Sequence, residues 1–138
     1  MSHSLPSSVR ITQQAKDQLV KLKRITGIKQ WNVLCRWALC ASLADESPPL
    51  VRAVRADSNV EMTWRVFAGP IDVELEALLL DRLENAEEGF ANLSELAAAH
   101  LHRGIGQLAG ELRLGDDVTT LVALVARPGL DGADRASD

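Results

Sequence analysis

The sequence is short of cysteine: Cys35 and Cys40 are the only two. Two thiols cannot build a disulfide framework, and so few fit a reducing compartment. No run of about 18–20 apolar residues is present, which excludes a membrane-spanning helix. The opening Met1-Ser2-His3-Ser4 lacks the basic-then-apolar design of a secretory signal, so the cytoplasm is the expected location. A nucleophile elbow, a Walker-type phosphate loop, a Cys-x-x-Cys pair and a His-Glu-x-x-His pattern are all missing. What remains is an ordinary globular composition over 138 residues, 46% hydrophobic and 25% charged with nine Gly and five Pro, which suits one unit with a sizeable core.

Acid is scarce in one region only. Residues 1–43 carry Arg10, Lys16, Lys21, Lys23, Arg24, Lys29 and Arg36 against the single acid Asp17, a net charge of +6. The rest carries −10, so the overall −4 hides a strongly basic N-terminal third. No lysine occurs after Lys29. Asymmetry of this kind points to a local polyanion-binding face.

Local patterns place this face on a helix. Residues 9–12 alternate as a short strand, and Thr12 is a candidate N-cap for a helix over 13–26, which Gly27 ends. A second helix spans 31–43. Its apolar side chains surround the whole circumference, with Arg36 the one charge, which favours burial between subunits of an oligomer. Residues 50–54 and 60–68 read as a hairpin across the turn formers Asp57-Ser58-Asn59, with Val60, Met62, Trp64 and Val66 on one side. A third, acidic helix covers 71–88. A fourth, capped by Asn92, runs to about 108, with Gly104 and Gly106 weakening its end. Residues 116–126 suit a buried strand or a last helix, and helix is preferred. The expected class is mainly α with a short N-terminal strand and a small β-hairpin: one compact helical domain over 1–126 and a flexible tail over 127–138.

With Lys16 as origin at about 100° per residue, Lys23 falls near −20°, Arg24 near +80° and Lys21 near +140°, away from Leu19 and Leu22. Arg10 and Lys29 flank this arc, giving six candidate phosphate contacts. A solvated surface face is the competing reading, but a face shaped for stability mixes signs, and here only Asp17 is available. Cys35 and Cys40 lie about 140° apart on a helix, unsuited to one metal, and read as buried thiols. His100 and His102 point to opposite sides, His100 as a packing residue. Trp37 and Trp64 read as core, leaving Trp31 beside the basic turn as the candidate for stacking on an unpaired base. No catalytic residue, cofactor or metal is expected.

The run Leu22-Lys23-Arg24-Ile25-Thr26-Gly27-Ile28, continuing through Trp31-Asn32-Val33-Leu34-Cys35-Arg36-Trp37-Ala38-Leu39-Cys40, resembles the DndE family of DNA sulfur-modification proteins. Thr63-Trp64-Arg65-Val66-Phe67-Ala68-Gly69 and His100-Leu101-His102-Arg103-Gly104-Ile105-Gly106 resemble its later signatures, so the likeness covers roughly 9–125. It implies a small helical protein likened to ribbon-helix-helix folds. It further implies a tetramer that binds duplex DNA, nicked duplex above all, and serves phosphorothioation. Sulfur activation would then lie with partners: a cysteine desulfurase, an iron–sulfur ATP pyrophosphatase-like protein and an ATPase. Lys23 and Arg24 fall within the matching run and are implied DNA contacts. Two other functions fit the residues. One is a sequence-specific ribbon-helix-helix repressor reading bases through Arg10 and Thr12. The other is a metal-dependent nicking enzyme using Glu84 or Glu88 of the acidic helix.

Overall fold

In the computed structural model, residues 8–50, 57–85, 89–116 and 119–126 are described. The chain is mainly helical, with a two-stranded antiparallel sheet. Strand β1 (Ser8–Arg10) leads into α1 (Gln13–Thr26), whose ends are set as local chemistry requires. Thr12 Oγ1 accepts from the Ala15 N–H at 3.0 Å, and Gly27, at φ 77°, turns the chain away while its N–H closes on the Lys23 carbonyl. One stripe of α1, Ala15, Leu19, Leu22 and Ile25, is buried.

Helix α2 (Trp31–Ala44) packs most extensively against the last long helix, α5 (Leu93–Glu111). At their crossing a Cβ on Gly104 would collide with the Ala38 carbonyl, so the two backbones touch. Gly104 therefore does not weaken the end of α5, which continues for seven residues to Glu111; it is the residue that lets α5 meet α2. Beside the crossing, Ser42 and His100, both wholly buried, bond through Oγ and Nδ1 at 2.8 Å, and Arg103 donates from Nε to the same Oγ at 2.8 Å and from its Nη2 to the Ser42 carbonyl at 2.8 Å. His100 is thus a satisfied packing residue.

The all-round apolar character of α2 is met for half of its residues within the chain itself. Leu34, Cys35, Ala38, Leu39, Ala41, Ser42 and Leu43 are buried, and the half-buried remainder includes Val33, Trp37, Cys40 and Ala44, which recur at helical spacing as one stripe.

The segment 60–68 departs from the expected strand. Only Glu61–Thr63 forms a strand, β2, and it pairs with β1, placing Val9 opposite Met62 and Arg10 opposite Glu61. Residues 51–54 of the expected partner lie outside the described residues, and Leu50 is exposed and irregular. At Thr63 the chain turns into α3 (Trp64–Ala68): the Thr63 hydroxyl accepts from the Val66 N–H at 3.2 Å, and Trp64, Phe67 and Ala68 are buried at helical spacing. Arg36 and Asn32 of α2 donate to the Val66 and Phe67 carbonyls where α3 ends. A short 3₁₀ turn, Gly69–Ile71, joins α3 to α4 (Asp72–Asn85), which buries only Leu75 and Leu79. Residues 119–126 are helical, as preferred from the sequence, with Leu121 buried. Residues 86–88 and the tail 127–138 lie outside the described residues.

Candidate nucleic-acid interface

The single basic arc read from α1 is divided in two by what the rest of the chain brings beside it. Lys16 and Lys23, two turns apart on one line, face an open cleft of about 540 Å³ with Lys29, Trp31, Asn59, Met62 and Val66. Lys16 Nζ donates to Asn59 Oδ1 at 2.6 Å. Lys23 Nζ stands 3.7 Å above the centre of the Trp31 ring, a cation–π contact worth about 0.5–1 kcal/mol at an exposed site. Gln30 and Asn32 also line this cleft, and α2 starts there without a side-chain cap and with no acid in its first turn. Its unpaired N–H groups therefore add positive potential to that of the three ammonium groups.

Glu61 is the one acid among the described residues lining this cleft, and its charge is already engaged. Arg10 reaches it across the β-ladder at 3.3 Å and Ser8 donates to its other oxygen at 3.1 Å. Both partners of the pair are about half exposed, so it contributes little to stability. Its effect is electrostatic: Arg10 offsets the acid that would cancel one lysine.

Lys21 and Arg24 face the other way, into a cleft of about 850 Å³ with Ile25, Ala109, Leu112 and Arg113. Val20, about half exposed, lies on the helix surface between the two groups. Here Lys21 and Arg113 serve the end of α5. Lys21 Nζ donates to the Ala109 carbonyl at 3.1 Å, and the Arg113 guanidinium donates to the carbonyls of Gly110 at 2.6 Å and Leu112 at 3.1 Å. Unpaired carbonyls at a helix C-terminus are the natural acceptors for such groups.

The other candidate chemistries gain no support. The Cys35 thiol is fully buried and pushed up to about 12 by loss of water, against a smaller opposing effect from Arg36. Burial also raises Cys40. Neither forms thiolate near neutral pH, although Cys40 is half-buried rather than buried as its sequence suggested. Among the described residues no three His, Cys, Asp or Glu side chains come together in a way that could hold a metal ion, and Glu88 lies outside them. His102 bonds the Ala98 carbonyl through Nδ1 at 2.7 Å and accepts the Thr12 N–H on Nε2 at 3.2 Å, partners that assign the Nδ1–H tautomer and tie α5 to the start of α1.

Sequence reasoning missed Asn59, Met62 and Val66 as lining residues, because their places were assigned to a hairpin turn and strand. Arg113 carried no sequence signal, since the carbonyls it bonds gain meaning only once α5 is known to end there.

The family model described as the DNA sulphur modification protein DndE matches residues 8–116. The chain belongs to the DndE family. A crystal structure of a DndE mutant involved in DNA phosphorothioation is similar with a TM-score of 0.61 and 25% identity, covering 78% of this chain and 100% of that one. A crystal structure of DndE from Escherichia coli B7A, involved in DNA phosphorothioation modification, is similar with a TM-score of 0.63 and 29% identity, covering 76% of this chain and 98% of that one. No curated protein matches. The matched span of this DndE-family chain includes β1 through α5, and with them the described linings of both clefts.

Proposed function

We propose that this chain is a non-catalytic DNA-binding accessory subunit of the phosphorothioation machinery, which holds duplex DNA, nicked duplex in particular, by its phosphates. The observation that carries this reading is the convergence of Lys16, Lys23 and Lys29 on one cleft whose only described acid, Glu61, is paired with Arg10. Three cations without local compensation are costly to hold together and become favourable when phosphates replace the counter-ions. Lys21 and Arg24 form a second, weaker contact. The protein acts in the cytoplasm beside the other sulfur-modification proteins, which carry the sulfur chemistry.

The same proposal includes a homo-oligomer, a tetramer in the reading adopted from the family resemblance. The half-buried stripe Val33, Trp37, Cys40 and Ala44 supports self-association, as do Val73, 71% exposed, and Leu78, 47% exposed, on α4. Measuring mass in solution checks the assembly, and a monomer at micromolar concentration contradicts it.

DNA binding is tested by fluorescence anisotropy of a labelled duplex over a range of salt. With about three phosphates neutralised per subunit, the logarithm of the binding constant should fall against the logarithm of salt with a slope of roughly −3. Replacing Lys16, Lys23 and Lys29 together by Glu should lower affinity by more than about 100-fold in a protein that remains folded. Unchanged affinity and slope in that variant contradict the proposal.

A further inference from the structure

We propose that the cleft lined by Lys16, Lys23 and Lys29 is a pocket for one unpaired nucleotide of DNA, whose base packs against Trp31, Met62 and Val66 while the lysines hold the flanking phosphates. The inference rests on the DNA-binding reading above and adds what the cleft contains besides charge.

A surface that only tracks a phosphate backbone needs cations on a polar ridge. This one is an open cleft of about 540 Å³, within the range of volumes that receive a small organic group. Its interior is apolar. Trp31 and Met62 are half-buried, and Val66, 51% exposed, opens into the same space. Phosphate gains nothing from a tryptophan face, a thioether and an isopropyl group. A nucleobase gains from all three, because each base has a π-face to lay on apolar or aromatic surface. Around this interior stand the amide side chains of Gln30, Asn32 and Asn59; Asn32 donates to the Val66 carbonyl and Asn59 accepts from Lys16, so the first keeps its amide oxygen and the second its amide NH2 for a ligand. Amides of both polarities suit a base edge without selecting one base.

The Lys23–Trp31 contact fits the same scheme. In the free protein the ammonium covers the ring, which shields an aromatic face otherwise open to water. Lysine is long and flexible and the contact is weak, so an entering base displaces the ammonium, which moves to the neighbouring phosphate. Among the described residues the second cleft has no aromatic lining residue, and two of its three cations, Lys21 and Arg113, are bonded to carbonyls at the end of α5.

The test uses the full chain and three labelled duplexes of one sequence: fully paired, carrying a single extrahelical thymidine, and carrying an abasic residue at that position. The last two share their phosphates and differ only in the base. The intact protein should bind the thymidine bulge about tenfold more tightly than the abasic bulge, with tryptophan fluorescence quenched by the first and not by the second. In Trp31→Leu, which keeps apolar volume without a π-face, the ratio between the two bulges should fall towards one. Trp31→Phe should keep part of it, and circular dichroism confirms that both variants are folded. Equal binding of the two bulges by the intact protein overturns the pocket and leaves backbone binding standing. Failure to bind any duplex overturns the backbone reading itself. Competition by free thymidine monophosphate as effective as that by the bulged duplex assigns the cleft to free nucleotides and also overturns the proposal.

Discussion

The two sides of α1 carry similar charge and use it differently. On one side Lys16, Lys23 and Lys29 stand around Trp31 and an open apolar interior, held by one side-chain oxygen and one ring face. On the other, Lys21 and Arg113 are bonded to the terminal carbonyls of α5. A basic residue is therefore informative about function only after its intramolecular acceptor is known. A cation closing a helix end contributes to folding whether or not DNA is present, whereas one over an aromatic ring is easily redirected.

Three sets of substitutions probe this contrast. The largest effect should come from comparing charge reversals: Lys21→Glu with Arg24→Glu should weaken duplex binding by about tenfold or less, against the more than 100-fold expected for the lysines around Trp31. Equal losses from both sides, measured by anisotropy at one salt concentration, would erase the distinction. A subtler separation comes from neutral replacements. Lys21→Met should lower unfolding stability by about 1 kcal/mol by leaving the Ala109 carbonyl without its charged donor. Lys16→Met should cost less than about 0.5 kcal/mol but make the salt slope shallower by about one. Urea denaturation and salt titration of the two proteins read both quantities. The smallest effect is expected from Glu61→Gln, which removes the acid from the first cleft and releases Arg10; duplex affinity should rise by about two- to fivefold. A decrease would mean that the Arg10–Glu61 pair shapes the cleft rather than tempering its charge.

How much of this was legible in the sequence depends on the range of the interaction responsible. Both ends of α1 and the start of α5 follow from residues within four positions, because Thr12, Gly27 and Asn92 act on their immediate neighbours. The segment after Val60 was misread because Val60, Met62, Trp64 and Val66 satisfy a period of two, while Trp64, Phe67 and Ala68 satisfy a helical one. Phe67, which breaks the alternation, was the sign that the period changes, and the Thr63 cap decides it. The division of the basic arc was not legible at all. It is made by Asn59, 43 positions from Lys16, and by Ala109, 88 positions from Lys21. The apolar circumference of α2 calls for cover on every side, and the cover visible within the chain comes mostly from α5, joined through Gly104, and reaches only half of the helix's residues.

That junction has a consequence for how the protein tolerates change. Where side chains separate two helices, the loss of a methyl group can be met by letting the helices draw closer. At Ala38 and Gly104 the backbones already touch, so the spacing of α2 and α5 is set by main-chain atoms that no rotamer can adjust. Voids opened beside this junction, at Leu34 or Leu101 for example, cannot be closed by approach of the helices and must persist as empty volume. A junction with so little side-chain bulk therefore has little freedom to vary.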